Sequence, residues 1–442
     1  MFLVYSLLFA LGVILTAPYY LWRMRGRILS GADWRERLGY LPAQFQDIRH
    51  GPGAVWIHAV SMGETVAVAG LVQALQAECP ERRIFLSCVT RAGREVGEAR
   101  MPGVAGHFYL PLDFRFSVRR ALARVRPALL MIVETELWPN LLRTARENGA
   151  RVVLVNARLS NRSFRGYRLA RPFMRRILKC IDWIGAQTEE DAERFIALGA
   201  SPDRVAVTGN LKFDGKPPQA GRLSSPLRAG LTVAQRGPVW LAASTMPGEE
   251  AMLLQAWSEI RTLHSKSFFI LVPRHPNRFE EVAQLLRESG RSFVRRTTLE
   301  PGAQDFARQL LAPEIVLLDT VGELAGILEV ADVVFMGGSL VPTGGHNLLE
   351  PAYWGKPILF GPHMENFRDI AHLFLEAGAA STVHDPADLA QRVHELLQDE
   401  RKRKEMGNRA RQLMQLGSGA TERTLERLRI MLGVSVPTHT RI

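Results

Sequence analysis

The sequence predicts an α/β protein built from two doubly wound domains, and three observations carry that prediction. Apolar runs without polar alternation recur along the chain, as in strands buried on both faces of a parallel sheet. Each run is followed by a segment of helical length, the order of a βαβ series. A Gly-, Pro- and Ser-rich stretch, "GKPPQAGRLSSPLRAG", then splits the series in two. A chain of 442 residues is long for one core and comfortable for two.

Taken in order, residues 1–22, "MFLVYSLLFALGVILTAPYYLW", carry no charge and as a helix would reach roughly 33 Å, enough to cross a bilayer core. No basic segment precedes this run and no small-residue cleavage site follows it, so an uncleaved membrane anchor is expected over 1–27. Arg23, Arg25 and Arg27 form its basic flank and hold the remainder on the cytoplasmic side. Pro18, Tyr19, Tyr20 and Trp22 suit an interfacial end, which leaves a tilted or partly inserted helix open. The first α/β domain is expected over 28–215, with strands at "AVWIHAV", "RIFLSCVT", "ALLMIVET", "RVVLVNA", "DWIGAQ" and "VAVTGN". A linker over 216–236 follows. The second domain, 237–442, has strands at "PVWLAAS", "SFFILVP", "EIVLLD", "ADVVFMGG" and "KPILFG" and ends in helices alone.

A formal net charge of +12 predicts attraction to something anionic: a lipid surface, a phosphorylated substrate or nucleic acid. Beside an apolar anchor, "RMRGR" and "RLARPFMRR" fit acidic headgroups better than a nucleic-acid track, although a solvated helix face explains them too. Three scattered cysteines, Cys79, Cys88 and Cys180, form neither a disulfide framework nor a zinc motif. There is no P-loop, no H-E-x-x-H and no D-x-D, so P-loop and zinc-protease chemistry are excluded and no metal site is expected.

Ligands of doubly wound sheets bind past the carboxyl ends of the strands, and two such domains facing each other would share a cleft there. The chemistry-bearing residues lie at those ends. Glu64 follows the first strand in "VSMGET", where it is either a general base or merely a partner for the helix dipole, with Ser61 as cap. Glu134 and Glu136 end the run "ALLMIV", either stabilising charge or forming a solvated edge, and Lys212 in "GNLKFD" supplies a cation. In the second half Arg274 and His275 follow "ILVP", and a guanidinium there suits a phosphate or carboxylate. Gly322 and Glu323 open one helix and His346, Asn347 and Glu350 another, after two glycine pairs that let backbone approach a ligand. A purely structural Asn347–Glu350 capping box accounts for the last spacing equally well.

Seven motifs in order, "AVSMGE", "ETELWPN", "NARLS", "TGNLKFD", "LVPRHPNRF", "GGSLVPTGGHNLLEP" and "FGPHMENFRD", resemble the 3-deoxy-D-manno-octulosonic acid (Kdo) transferases of lipopolysaccharide synthesis. The likeness runs to about residue 380, with Ala59 where some members have Ser and Leu348 where some have Pro. It implies a GT-B glycosyltransferase that moves Kdo from CMP-Kdo, with inversion, onto a lipid A precursor at the cytoplasmic face of the inner membrane. It also implies roles: Glu64 as general base, Glu134 and Lys212 as transition-state stabilisers, and Pro273, Arg274, Val321, Gly322, Glu323, Asn347, Leu348, Leu349 and Glu350 as the CMP-binding segments. The first domain would take the acceptor and the second the CMP-sugar, with no cofactor, no metal and no nucleic acid. A GT-B enzyme using a UDP-sugar, as transferase or epimerase, is the first alternative, and a membrane-tethered protein that binds anionic ligands is the second.

Overall fold

The apolar runs of the first half become a seven-stranded sheet, β1 Ala54–His58, β2 Ile84–Cys88, β3 Gly106–Tyr109, β4 Pro127–Val133, β5 Arg151–Ala157, β6 Trp183–Ala186 and β7 Val205–Val207. The second half forms another from β8 Val239–Thr245, β9 Phe268–Pro273, β10 Phe293–Arg295, β11 Ile315–Leu317, β12 Val333–Met336, β13 Ile358–Phe360 and β14 Ala380–Thr382. The computed structural model describes residues 1–23, 31–42, 45, 52–215, 219, 221, 223–233, 235–299, 306–309 and 313–434. It divides into two units, Met1–Gly215 with Gly417–Ile442, and Lys216–Leu416.

Every strand pairing is parallel. The first sheet has the order β3-β2-β1-β4-β5-β6-β7 and the second β10-β11-β9-β8-β12-β13-β14. In both, the strand order reverses beside the first strand, between β1 and β4 and between β8 and β12, which is where doubly wound sheets bind ligands. Successive side chains point to opposite faces. Trp56, Leu130 and Ile132 therefore join one core layer of the first unit, while Val55, Ile57, Met131 and Val133 join the other.

That second layer holds a departure from the expected boundaries. The helix Ala420–Leu432 was expected in the second domain, yet Ala420, Leu425, Leu428 and Leu432 cover the Val55/Ile57 face of the first sheet. Burying these leucines stabilises the first unit by roughly 2 kcal/mol each. Arg429 forks onto Glu78 at 2.5 and 2.8 Å, and Asp214 accepts the N–H groups of Gly419 and Thr421 at the start of the helix. The linker also shortens. Within 216–236 the helix Ser224–Val233 buries Leu227 and Leu231, and Ser224 Oγ donates to Gly326 O at 2.9 Å, so this stretch belongs to the second unit.

Among the described residues no helix is long and apolar enough to cross a membrane, so the expected spanning anchor is not found. The N-terminal segment is a helix, Phe2–Arg23, and it is docked on the first unit. The Tyr5 hydroxyl donates to Asp113 Oδ2 at 2.9 Å, and Phe9 meets Phe114 and Trp138 edge to face. Phe2 and Tyr5 pack on Phe173. The other face is bare: Leu3, Val4, Leu7, Leu8, Leu11, Ile14 and Leu15 are all exposed. Arg25 and Arg27 of the expected basic flank, and the side chains of Pro18, Tyr19, Tyr20, Trp22 and Arg23, lie outside the described residues.

Candidate functional site

In the first unit the strand ends gather one lysine and three carboxylates. β1 stops at His58, and Ser61 caps the helix Met62–Glu78, accepting from Glu64 N at 3.4 Å. The Ser61 hydroxyl donates to Glu64 Oε1 at 3.0 Å, and the Val60 N–H donates to Oε2 at 2.8 Å. S-x-x-E is the pattern of a capping box, so Glu64 both closes the helix start and is fixed by it. It is only 8% exposed. Burial first, and then the Glu134 carboxylate, push the Glu64 carboxyl up to about 7 against the two hydrogen bonds that favour its charged form. A carboxylate that is half-ionised near neutrality has the proton affinity a general base needs.

Glu134 follows β4 and takes a left-handed backbone, φ 60°, with its N–H on Val155 O. This conformation is uncommon for a residue with a side chain and recurs at functional turns. Lys212 Nζ sits 3.2 Å from Glu134 Oε1. Burial and then Glu134 raise the Glu136 carboxyl. Glu64, Glu134, Glu136 and Lys212 are therefore brought together, as their strand-end positions predict.

Three amides behind the lysine were not singled out from the sequence. Asn156, at the end of β5 with φ 52°, accepts the Leu211 N–H on Oδ1 at 2.9 Å. Gln187 Nε2 donates to Asn156 O at 3.0 Å, Asn210 Nδ2 donates to Gln187 Oε1 at 3.0 Å, and Asn210 Oδ1 accepts Lys212 N at 3.0 Å. This chain sets the backbone from which Lys212 reaches Glu134. The signal was available, since Asn156 lies in "NARLS" and Asn210 in "TGNLKFD".

In the second unit Pro273 is buried and pairs with Thr245, and Arg274 and His275 emerge exposed beyond it. Arg274 N donates to Thr245 O at 3.0 Å. The turn is braced by Arg278, which forks onto buried Glu250 at 2.7 and 3.0 Å while Thr245 Oγ1 donates to the same carboxylate at 2.7 Å. Burial first, then the charges of Arg274 and His275, push His346 down to about 4, so it is neutral at pH 7 and lies close to both. Its Nε2 is buried without a hydrogen-bond partner among the described residues.

The loop after β12 is held by Glu249, which also escaped the sequence reading. Fully buried, it accepts the N–H groups of Met246, Gly338, Ser339 and Leu340 at 2.7–2.9 Å. The glycine pairs make room chiefly for protein. A Cβ on Gly337 would lie 2.6 Å from Ser244 O, and one on Gly345 would lie 2.3 Å from Met364 Sδ.

The other expected CMP-binding residues divide. Val321 and Gly322 are exposed, while Glu323 is occupied by Arg296 at 2.9 Å and Thr320 at 2.5 Å. The helix after them, Leu324–Ile327, is one turn, as is Leu349–Tyr353, so neither supplies the full helix dipole expected of it. Leu348 and Leu349 are core side chains, leaving only their main chain for a ligand. Asn347 Oδ1 accepts Leu349 N at 3.2 Å and Asn347 Nδ2 reaches Glu350 Oε1 at 3.5 Å, a local turn in place of a capping box.

Comparison with known proteins adds the family. The family model described as 3-deoxy-D-manno-octulosonic-acid transferase (kdotransferase) matches residues 32–215. A 3-deoxy-D-manno-octulosonic acid transferase of Bordetella pertussis is 36% identical, covering 94% of this chain and 96% of its own. One of Haemophilus influenzae is 34% identical over 86% and 87% of the two chains. Among solved structures, UDP-GlcNAc 2-epimerase of Neisseria meningitidis superposes with a TM-score of 0.53 at 14% identity, covering 85% of this chain and 99% of that one. A putative UDP-N-acetylglucosamine 2-epimerase of Listeria monocytogenes gives 0.51 at 16%, covering 88% and 99%. These two likenesses carry the fold alone, the tandem Rossmann-like arrangement of the GT-B class. With relatives above 30% identity spanning nearly the whole chain, this protein belongs to the 3-deoxy-D-manno-octulosonic acid transferases and is a glycosyltransferase.

Proposed function

We propose that the chain transfers Kdo from CMP-Kdo to a lipid A precursor with inversion at the anomeric carbon. The observation that carries this reading is Glu64, a buried carboxylate at the end of the first strand whose proton affinity is raised to about 7. An acceptor hydroxyl is a weak nucleophile. Glu64 takes its proton as the oxygen bonds to the anomeric carbon, while the bond from that carbon to the phosphate oxygen of CMP breaks and CMP leaves with the electron pair. Glu134 offsets positive charge developing at the carbon, by analogy with glycosidase transition states, and Lys212 steadies Glu134 from 3.2 Å while offering its remaining donors to the donor sugar's carboxylate.

The first unit is the acceptor-binding unit in this reading and the second takes the donor. Arg274 engages the single phosphate, and the main chain at Val321–Glu323 and Asn347–Glu350 takes the nucleoside. One phosphate ester needs less neutralisation than a diphosphate, so no step is assigned to a metal. The bare leucine face of the N-terminal helix supports seating at the cytoplasmic surface of the inner membrane, lying in the interface plane where a lipid-borne acceptor is found.

The test is incubation of the purified chain with CMP-Kdo and a tetra-acylated lipid A precursor, following CMP release and product mass. Stoichiometric CMP and a glycolipid heavier by one or more Kdo units are expected, and Glu64→Ala should lose both while still binding CMP-Kdo. Binding of uridine rather than cytidine nucleotides, or CMP release with no glycolipid, would overturn the reading.

A further inference from the structure

Away from the strand ends, the first unit has a cavity of about 960 Å³ whose lining carries five cationic side chains and no carboxylate. Arg171, Arg175, Arg176 and Lys179 line it from the helix Arg171–Leu178 and the residue after it, and Arg204 faces them beyond Gly199–Ser201. The bland explanation is that these side chains answer the negative ends of two helices, since Arg171–Leu178 and Glu189–Leu198 both finish here. Magnitudes rule against it as the whole account. A helix end carries a charge of roughly −0.5, so two of them balance about one of five cations. Among the described residues Arg171, Arg175, Arg176 and Lys179 form no ion pair with a carboxylate. The floor is shaped to admit them: a Cβ on Gly199, at φ +111°, would lie 2.9 Å from Arg175 Cβ and Cγ.

Two further observations tie the cavity to the N-terminal helix and to an anionic surface. Phe173, on the same helix, packs against Phe2 and Tyr5, so the helix that carries the cationic wall also seats the N-terminal helix, whose other face is a bare leucine stripe. Leu169, just before the first cavity arginine, is 90% exposed. Between 161 and 181 there are seven Arg or Lys residues and no Asp or Glu.

We propose that this cavity is a discrete docking site for the phosphate of an anionic phospholipid headgroup, registering the first unit against the leaflet on which the N-terminal helix lies. The proposal rests on the membrane-surface reading above and sharpens it from diffuse attraction to a built site. Arginines suit the task because a guanidinium holds a phosphate through two parallel donors.

The experiment is sedimentation of the full chain with vesicles of phosphatidylcholine, alone or with about 30 mol% phosphatidylglycerol. Two double variants are compared: Arg175→Gln with Arg176→Gln inside the cavity, and Arg162→Gln with Arg165→Gln on the neighbouring helix Asn161–Leu169. With each basic side chain near an anionic surface giving roughly a fivefold gain, the cavity pair should weaken binding to the anionic vesicles roughly 10- to 30-fold and the neighbouring pair less than about threefold. Circular dichroism should show both folded. Equal losses from the two pairs, binding indifferent to phosphatidylglycerol, or full displacement by a few millimolar inorganic phosphate would each overturn the site. Kdo transfer in detergent micelles should be unchanged in the cavity pair. A wild type that sediments as expected yet forms no glycolipid there upholds the docking site and sinks the catalytic reading alone.

Discussion

Glu64 and Glu249 occupy corresponding places, each at the start of the helix that follows the first strand of its sheet, and their fates are opposite. Glu249 accepts four backbone N–H groups and so locks the loop after β12. Glu64 has one N–H and one hydroxyl, too few to offset its burial with Glu134 nearby, and its carboxyl stays near neutrality. Burial raises both carboxyls, so the difference lies in what surrounds each: four backbone donors occupy Glu249, whereas Glu64 has fewer donors and a second carboxylate beside it. One carboxylate serves as a structural anchor and the other stands among Glu134, Glu136 and Lys212 at the strand ends.

Substitutions should separate the two. The largest effect is expected from Glu64→Gln, which keeps the shape and removes the base: kcat for Kdo transfer should fall about 10³-fold with the KM for CMP-Kdo unchanged. A loss of only a few-fold would return Glu64 to a capping role. Next, Glu249→Ala leaves buried N–H groups without an acceptor and should cost the second unit about 3–4 kcal/mol in urea unfolding. A neutral result there would break the contrast from the other side.

Glu64 should also leave a signature in stability. Its folded carboxyl titrates at about 7, above the ordinary value of 4.5, so between those pH values the folded state holds more protons than the unfolded. Wild-type stability should therefore fall as pH rises through that window, by about 2–3 kcal/mol, and Glu64→Gln should abolish the fall. Parallel pH profiles for the two proteins would show that the carboxyl is not perturbed. The acid limb of kcat/KM should lie near the same pH, with activity rising as Glu64 ionises. Arg274→Ala, by comparison, should raise the KM for CMP-Kdo roughly 30-fold, about 2 kcal/mol of a charge-assisted contact, and leave stability alone. The smallest effect is assigned to Asn210→Ala. Loosening the backbone under Lys212 should cost about 1 kcal/mol and lower kcat several-fold, and Asn210→Asp, which restores the oxygen that accepts Lys212 N but not the donor to Gln187, should recover part of it.

What the sequence made legible follows the same logic of burial. Strands such as "ALLMIV" and "FFILVP" declare themselves because both faces are covered. The strands that escaped, "GHFY", "FVR" and "AST", are three or four residues long, lie at the sheet edges or beside them, and carry little apolar signal. Glu64, Glu134 and Lys212 could be grouped without coordinates because each directly follows a strand of one sheet. The three distant donors on Glu249 and the Arg278–Glu250 fork could not, since each joins segments whose proximity only the folded sheet creates. The last helix was misassigned for a related reason. Its apolar stripe states that it covers a sheet, and nothing local states which.

That last helix has a consequence for how the molecule is made. The chain leaves the first unit at Gly215 and comes back only at Gly417, so one side of the first sheet, covered in part by the helix Met62–Glu78, lacks the rest of its cover while some two hundred residues are still being synthesised. A fragment ending before the return would leave this apolar layer without Ala420, Leu425, Leu428 and Leu432 and should aggregate, whereas the stretch 216–416 has every strand and cover of its own sheet and should survive excision. The unit that begins first at the ribosome is thus the one that finishes last.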